Sequence, residues 1–139
     1  MRAVLLDTGC IVAALDRSER NHEACREAIT GVDAPLVTCE AVIAETCYLL
    51  RNVQGAADAV IANIESGAFQ VPFRIDSAAR AVRKLLARYG NVRIDFADAC
   101  LIHLATELDT GRILTLDDDF DVYRWKRSRA FERLVRRAS

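Results

Sequence analysis

Apolar residues follow two alternating spacings along this chain, which predict strands separated by helices. Short apolar runs predict strands, and longer segments with apolar positions three or four residues apart predict helices. The predicted strands are 3–6, 36–38, 69–75, 113–116 and 131–135. The predicted helices are 8–15, 19–30, 40–50, 56–64, 76–89 and 96–108. Strands joined through helices run parallel with right-handed crossovers, so the pattern predicts a three-layer α/β/α sandwich with a central parallel sheet.

The residues at element ends refine this prediction. Asp95 and Asp76 are expected to cap the helices that follow them, and Gly111 to close the connection after helix 96–108. Pro72 lacks an N–H donor, which indicates an edge or a bend in the third strand. Helix 40–50 is apolar almost all round, a pattern typical of a buried helix.

Length and composition favour a single domain that spans residues 1–139. No apolar run reaches the roughly 18 residues that span a bilayer, so a soluble, cytoplasmic protein without membrane contact is expected. The five cysteines have no CxxC spacing. This argues against a disulfide framework or a zinc site and favours small core residues.

The formal net charge of −1 by itself predicts no polyanionic partner. The cations are unevenly distributed, however, and they crowd the C-terminal segment. Such a run is either a solvated tail or a surface for phosphate, to which the planar arginine side chain is well suited. The cations of this segment are Arg124, Lys126, Arg127, Arg129, Arg133, Arg136 and Arg137.

Four acidic residues lie beside or inside strongly apolar elements: Asp7, Glu45, Asp98 and Asp117. Asp7 and Asp117 follow predicted strands, so they would lie side by side at the carboxyl edge of the sheet if the first and fourth strands are neighbours. Carboxylates that close repel unless they take up protons or bind a cation. Because no histidine or cysteine accompanies them, such a cluster favours Mg²⁺ or Mn²⁺ over zinc.

Each acid taken alone is more simply explained as a helix cap or an arginine partner, whereas four at core edges favour a shared site. Two other phosphate chemistries lack their motifs. Asp7-Thr8-Gly9 does not have the second aspartate, two residues on, of haloacid-dehalogenase-like phosphatases. The chain also has no GxxxxGK[ST] loop, which excludes a P-loop nucleotide site.

Four segments together resemble the PIN-domain family, and more narrowly the VapC-type toxins of bacterial toxin–antitoxin pairs. They are LLDTG near the start, VIAET, DFADACLIHLA and ILTLDDDFDVYR. The resemblance implies a PIN-like fold in which Asp7, Glu45, Asp98 and Asp117 are the metal-binding catalytic acids. Asp119 would be an accessory metal ligand, although the choice of ligand among 117, 118 and 119 stays open. Thr8 and Thr115 match small hydroxyl positions beside the site.

Membership would imply a Mg²⁺- or Mn²⁺-dependent endoribonuclease that acts on structured RNA, forms a homodimer and is inhibited by a cognate antitoxin. Two other functions compete with this one. A PIN-like module could hold RNA or a protein without cutting, but modules of that kind typically lose acids and none is missing here. A metal-dependent phosphatase or DNA nuclease is the third possibility.

Overall fold

In a computed structural model, which describes residues 2–138, five parallel strands form a central sheet in the order β3-β2-β1-β4-β7. These strands are β1 (Val4–Leu6), β2 (Leu36–Val37), β3 (Phe69–Gln70), β4 (Arg112–Leu114) and β7 (Glu132–Arg133). Two further strands, β5 (Arg124–Trp125) and β6 (Arg129–Ala130), pair antiparallel as a separate hairpin. The predicted parallel sheet is confirmed.

Six helices flank the sheet. They are α1 (Thr8–Leu15), α2 (His22–Gly31), α3 (Glu40–Leu49), α4 (Ala56–Glu65), α5 (Ile75–Arg88) and α6 (Phe96–Leu108). The chain steps outward from β1 to β2 and β3, then returns to β4 on the other side of β1. Right-handed crossovers therefore place α1 to α4 on one face and α5 with α6 on the other, which gives the expected three layers.

The pairing of β1 with β4 locates the candidate site. Leu6 at the end of β1 pairs with Leu114 at the end of β4, and the amide of Asp7 donates to the carbonyl of Leu114 over 3.0 Å. The path of the chain reverses between these two strands, and in open α/β sheets such a reversal leaves a ligand crevice at the carboxyl ends of the strands.

Apolar burial keeps this edge fixed. The side chains of β1 and of Ile113 and Leu114 in β4 are fully buried. A cluster of aromatic rings beyond β4 extends the core: Phe120 packs edge-on against Tyr123 and Phe131, at centroid distances of 5.0 and 5.2 Å.

The third strand and the helix after it differ from the prediction. Strand β3 ends at Gln70, because Pro72 cannot donate to a neighbouring strand. Helix α5 begins at Ile75 with Arg74 in the capping position, so the prediction that Asp76 caps it is wrong. The Asp76 carboxylate instead pairs with the Arg74 guanidinium at 3.0 Å.

Two other predictions about helices need correction. Helix α3 is not buried: Val42 and Thr46 face the core, but Tyr48 and Leu49 are 62% and 51% exposed. At the end of α6 the left-handed residue is Asp109, with φ of 54°, rather than Gly111. The structural role of Gly111 is close packing against the ring of Trp125.

The C-terminal segment is largely structured. Strand β7 confirms the predicted last strand, in a shorter form, whereas the β5–β6 hairpin was not predicted. The side chain of Arg133 is completely buried and Arg136 pairs with Asp121, so at these positions the segment is not a solvated tail. No helix within residues 2–138 is long and apolar enough to cross a membrane.

Candidate metal centre

Three carboxylates converge at the carboxyl edge of the sheet. Asp7, Asp98 and Asp117 each offer one oxygen, and these oxygens lie within 4.8 Å of one another. Asp7 follows β1, Asp117 follows β4, and Asp98 lies in the first turn of α6. Residues more than one hundred positions apart are thus brought together by the pairing of β1 with β4 and the packing of α6.

Asp7 is held by hydrogen bonds on both carboxylate oxygens. One oxygen accepts the amide of Thr8 at 2.8 Å, which caps α1, and the other accepts the hydroxyl of Thr115 at 2.7 Å. The same Thr115 oxygen accepts the amide of Asp117 at 3.0 Å. One threonine therefore links two of the three acids, which explains a hydroxyl residue at this position.

Asp98 is fixed through its backbone and its side chain. The Asp95 carboxylate accepts the amide of Asp98 at 2.8 Å, which confirms Asp95 as the cap of α6. The hydroxyl of buried Tyr123 donates to an Asp98 oxygen at 3.1 Å. Asp98 itself is only 8% exposed.

The turn after β4 gives the three consecutive aspartates different partners. Asp117 caps this turn by accepting the amide of Asp119 at 2.9 Å. Asp118 instead pairs with the buried guanidinium of Arg133 at 2.8 Å, and the same guanidinium contacts Asp121 at 3.1 Å. Arg133 thereby engages two of the acids in this turn and leaves Asp117 in the three-carboxylate group.

Burial and repulsion from neighbouring carboxylates favour protons on Asp7, Asp98 and Asp119 in the absence of a cation. Burial raises the pKa of Asp98 to about 8, and the charges of Asp95, Asp7 and Asp117 act in the same direction. Burial also raises the pKa of Asp7 to about 6, against the opposing effect of its hydrogen bonds from Thr115 and Thr8. Desolvation and the neighbouring aspartates raise the pKa of Asp119 as well.

The donor set suits a hard divalent cation. All three groups offer oxygen, the ligand atom that Mg²⁺ and Mn²⁺ prefer. No lysine, arginine or histidine within residues 2–138 forms an ion pair with Asp7, Asp98 or Asp117. The buried hydroxyl of Thr8 also has no hydrogen-bond partner in the described part of the chain. Negative charge gathered without a protein cation is what a bound metal ion would neutralise.

A family comparison agrees with this architecture. Residues 4–126 match the PIN domain model. The chain belongs to the PIN-domain family. This PIN domain is 35% identical over 120 residues to ribonuclease VapC26 of Mycobacterium tuberculosis, a match that covers 82% of this chain and 86% of that protein.

A solved structure shares the fold. The crystal structure of Mycobacterium tuberculosis VapC20, a sarcin-ricin loop cleaving toxin, superposes on the PIN domain with a TM-score of 0.79 at 20% identity. The match covers 91% of this chain and 98% of that one. The resemblance to VapC-type members that was inferred from the residues is therefore confirmed.

Two of the predicted ligands lie outside the three-carboxylate group of this PIN domain. Glu45 is exposed on α3, and Asp119 lies in the turn that Asp117 caps. Their roles as ligands stay predictions. Sequence reasoning missed the contact of Tyr123 with Asp98 and that of Arg133 with Asp118. Their only local signals were the place of Tyr123 in the segment ILTLDDDFDVYR and that of Arg133 in the run of C-terminal cations.

Proposed function

We propose that this chain is a metal-dependent endoribonuclease that hydrolyses phosphodiester bonds in RNA. The observation that carries this proposal is the convergence of Asp7, Asp98 and Asp117 within 4.8 Å, without a pairing cation among the described residues. The relative named as a ribonuclease, which is 35% identical, supports RNA as the substrate.

In this proposal Asp7, Asp98 and Asp117 hold Mg²⁺ or Mn²⁺, and Glu45 and Asp119 complete the catalytic and metal-binding set. A cation bound there would supply an activated water and would neutralise charge that develops on the phosphate. The protein's own contribution is orientation. The hydroxyls of Thr115 and Tyr123 fix the carboxylates of Asp7 and Asp98, and Asp95 fixes the start of α6.

Proton release is the second contribution of the chain. A carboxylate must be ionised to bind a metal, and the pKa values of about 6 for Asp7 and about 8 for Asp98 mean that protons compete with the cation. We expect cleavage to rise with pH across this range, because deprotonated acids bind the cation more strongly.

The biological role that we propose is the toxin of a toxin–antitoxin pair, acting in the cytoplasm as a single-domain homodimer that a cognate antitoxin inhibits. The similarity to VapC26 and to the VapC20 toxin supports this role. The competing function is a module that binds RNA without cutting it, and it predicts no cleavage with any metal.

The test is cleavage of cellular RNA by the purified protein with Mg²⁺ or Mn²⁺, and again after EDTA. We expect cleavage that requires the metal and is lost in Asp7→Ala and Asp98→Ala variants that remain folded by circular dichroism. Cleavage that persists in chelator, or in a folded variant lacking both acids, would contradict the proposed mechanism. RNA binding without any cleavage would favour the non-cleaving module.

A further inference from the structure

One face of α5 carries four cations with no acidic partner. Arg80, Arg83, Lys84 and Arg88 are all exposed, and their spacing of three and four residues places them along one side of the helix. None of them forms an ion pair with a carboxylate within residues 2–138. Like charges four residues apart destabilise a helix by roughly 0.2–0.5 kcal/mol per pair, so local helix stability does not explain this row.

The β5–β6 hairpin extends the charged face. Together with α5 and α6 it borders a groove of about 520 Å³ in volume, which is lined by several cations and one histidine but by no carboxylate. Its charged and polar lining consists of Lys84, Arg88, His103, Thr106, Arg124, Lys126 and Arg127. A guanidinium nitrogen of Arg88 donates to the carbonyl of Arg127 at 2.6 Å, which joins the helix to the hairpin.

The tip of the hairpin has a backbone that does not suit its residues. Lys126 and Arg127 have φ angles of 44° and 69°, in the left-handed region that glycine and asparagine occupy most easily. Long side chains in that region cost roughly 1 kcal/mol each relative to glycine. Lys126 pairs with Asp109, so the unpaired positive charge of this turn is that of Arg127. The turn carries this charge at the expense of local stability, which is common at functional sites.

This basic surface begins close to the carboxylate centre. Tyr123, whose hydroxyl contacts Asp98, immediately precedes Arg124 in β5. Along α6, Thr106 in the groove lies eight residues after Asp98, about 12 Å at the helical rise. A chain of phosphates bound at the centre would reach the surface within a few nucleotides.

We propose that the surface formed by Arg80, Lys84, Arg88, Arg124 and Arg127 binds the sugar-phosphate backbone of RNA next to the cleavage site. This inference rests on the proposed ribonuclease function and adds the position of the flanking RNA. The guanidinium groups match phosphate geometry, and none of these five cations forms an ion pair with a carboxylate within residues 2–138. Two other residues of the groove, Lys126 and His103, are paired with Asp109 and Glu107. The unpaired cations are complementary to a polyanion. Contacts of this kind position RNA without reading its sequence.

The test measures binding rather than cleavage, in an Asp98→Asn background that leaves the probe intact. Two changes are compared: the pair Arg80→Gln with Lys84→Gln, and the single change Arg127→Asn. A matched control pair, Arg17→Gln with Arg26→Gln, removes the same formal charge from the region of α1 and α2. The probes are a fluorescein-labelled RNA stem-loop and a DNA duplex of the same sequence, titrated across a salt series.

We expect the α5 pair to weaken binding of the RNA stem-loop about three- to tenfold near physiological salt. The salt-dependence slope should fall by about 0.7–0.9 for each lost phosphate contact. Arg127→Asn should weaken RNA binding while leaving the melting temperature unchanged or higher, because asparagine tolerates the left-handed backbone. A merely structural role for Arg127 would lower stability and binding together.

Unchanged RNA affinity in both variants, or an equal loss in the control pair, would overturn the inference. A loss confined to the DNA duplex would also overturn it, since the surface would then serve DNA. The binding assay and the cleavage assay can fail independently. RNA binding can depend on this surface even if the protein with an intact Asp98 cleaves no RNA, which would contradict the proposed function alone.

Discussion

Asp98 is the residue at which burial and charge conflict most directly. It is almost completely buried in the first turn of α6. Desolvation raises its pKa most, and the charges of three other aspartates raise it further. Only Tyr123 opposes this shift, through one hydrogen bond. In the metal-free protein the ionised form of Asp98 is therefore unfavourable.

The sign of the pH effect follows from the proton balance. The pKa of Asp98 is about 8 in the folded chain against an ordinary value of 3.8, so between these values the folded state binds more protons than the unfolded state. The free energy of unfolding then falls as pH rises from about 4 to about 8. Asp7, whose folded pKa is about 6, acts in the same direction over a narrower range.

We predict that Asp98→Asn raises the melting temperature of the metal-free protein at pH 8 and abolishes RNA cleavage. Asparagine keeps the shape and the acceptor for Tyr123 but removes the charge. The gain should shrink as the pH falls towards 4, because the folded wild type then binds a proton on Asp98 and loses the charge that asparagine also lacks. Thermal unfolding in EDTA across this pH range measures it, with exposed Asp58→Asn as the control. A variant less stable than wild type at pH 8 would show that the Asp98 charge stabilises the fold.

The acids of the site were largely predictable from the sequence, because a carboxylate at the end of a buried strand can be recognised locally. Asp7, Asp98 and Asp117 do converge. The pairing of Arg133 with Asp118 could not be predicted, since residues fifteen positions apart meet only through the placement of β7 beside β4. The exposed position of Glu45 could not be predicted either, because the apolar pattern of α3 indicated a buried helix.

At the scale of elements, Gly111 and Trp125 hold the β5–β6 hairpin against the end of α6. A Cβ atom built on Gly111 would lie 2.2 Å from the indole nitrogen of Trp125 and 2.7 Å from a ring carbon. That nitrogen donates to the carbonyl of Ala130, and the amide of Glu132 donates to the carbonyl of Gly111 at 2.8 Å. The hairpin and strand β7 both depend on this contact.

We predict that Gly111→Ala destabilises the protein by about 1–3 kcal/mol, because the ring of Trp125 must move and its hydrogen bond is strained. Urea unfolding measures the loss. Trp125 is the single tryptophan, so its fluorescence reports the local change directly. Gly31→Ala is the matched control, since nothing lies within 4 Å of the added carbon and stability should hold or improve. Equal effects of the two substitutions would contradict the packing role of Gly111.

The elements of the sheet were predicted with small errors at their ends, whereas the hairpin was missed. Periodicity identifies buried strands and amphipathic helices, which is why β1, β4 and α6 lie where expected. The hairpin lacks the usual signal, since its three-residue loop contains no glycine or asparagine although Lys126 and Arg127 adopt positive φ angles. Local sequence preference and the adopted backbone disagree there.

At the scale of the whole molecule, the strand order brings acids from distant parts of the chain into one centre. Strand β1 lies between β2 and β4, so Asp7 faces the crevice at which the chain reverses direction across the sheet. The helices that carry Asp98 and the basic face of α5 pack against each other on the same side of the sheet. The proposed metal centre and the proposed RNA surface are therefore neighbours in the fold, because α6 belongs to both.

A metal ion bound at this centre should stabilise the entire fold, because the unfolded chain does not hold the three acids together. We predict that saturating Mn²⁺ or Mg²⁺ raises the melting temperature of the wild type, with about 2.7 kcal/mol of stabilisation at one hundred times the dissociation constant. The increase should be larger at pH 8 than at pH 5, since the raised pKa values of Asp7 and Asp98 make protons compete with the cation.

Differential scanning calorimetry with and without metal measures this increase in melting temperature. Asp98→Asn should lose most of the increase, although without metal it should be more stable than the wild type. Asp58→Asn should keep the full increase, because its carboxylate lies exposed on α4, outside the three-carboxylate group. An equal increase in Asp98→Asn and wild type would mean that the ions bind elsewhere on the surface. If Asp98→Asn is more stable than the wild type without metal and gains no stability with metal, the charge of Asp98 both destabilises the metal-free fold and binds the cation.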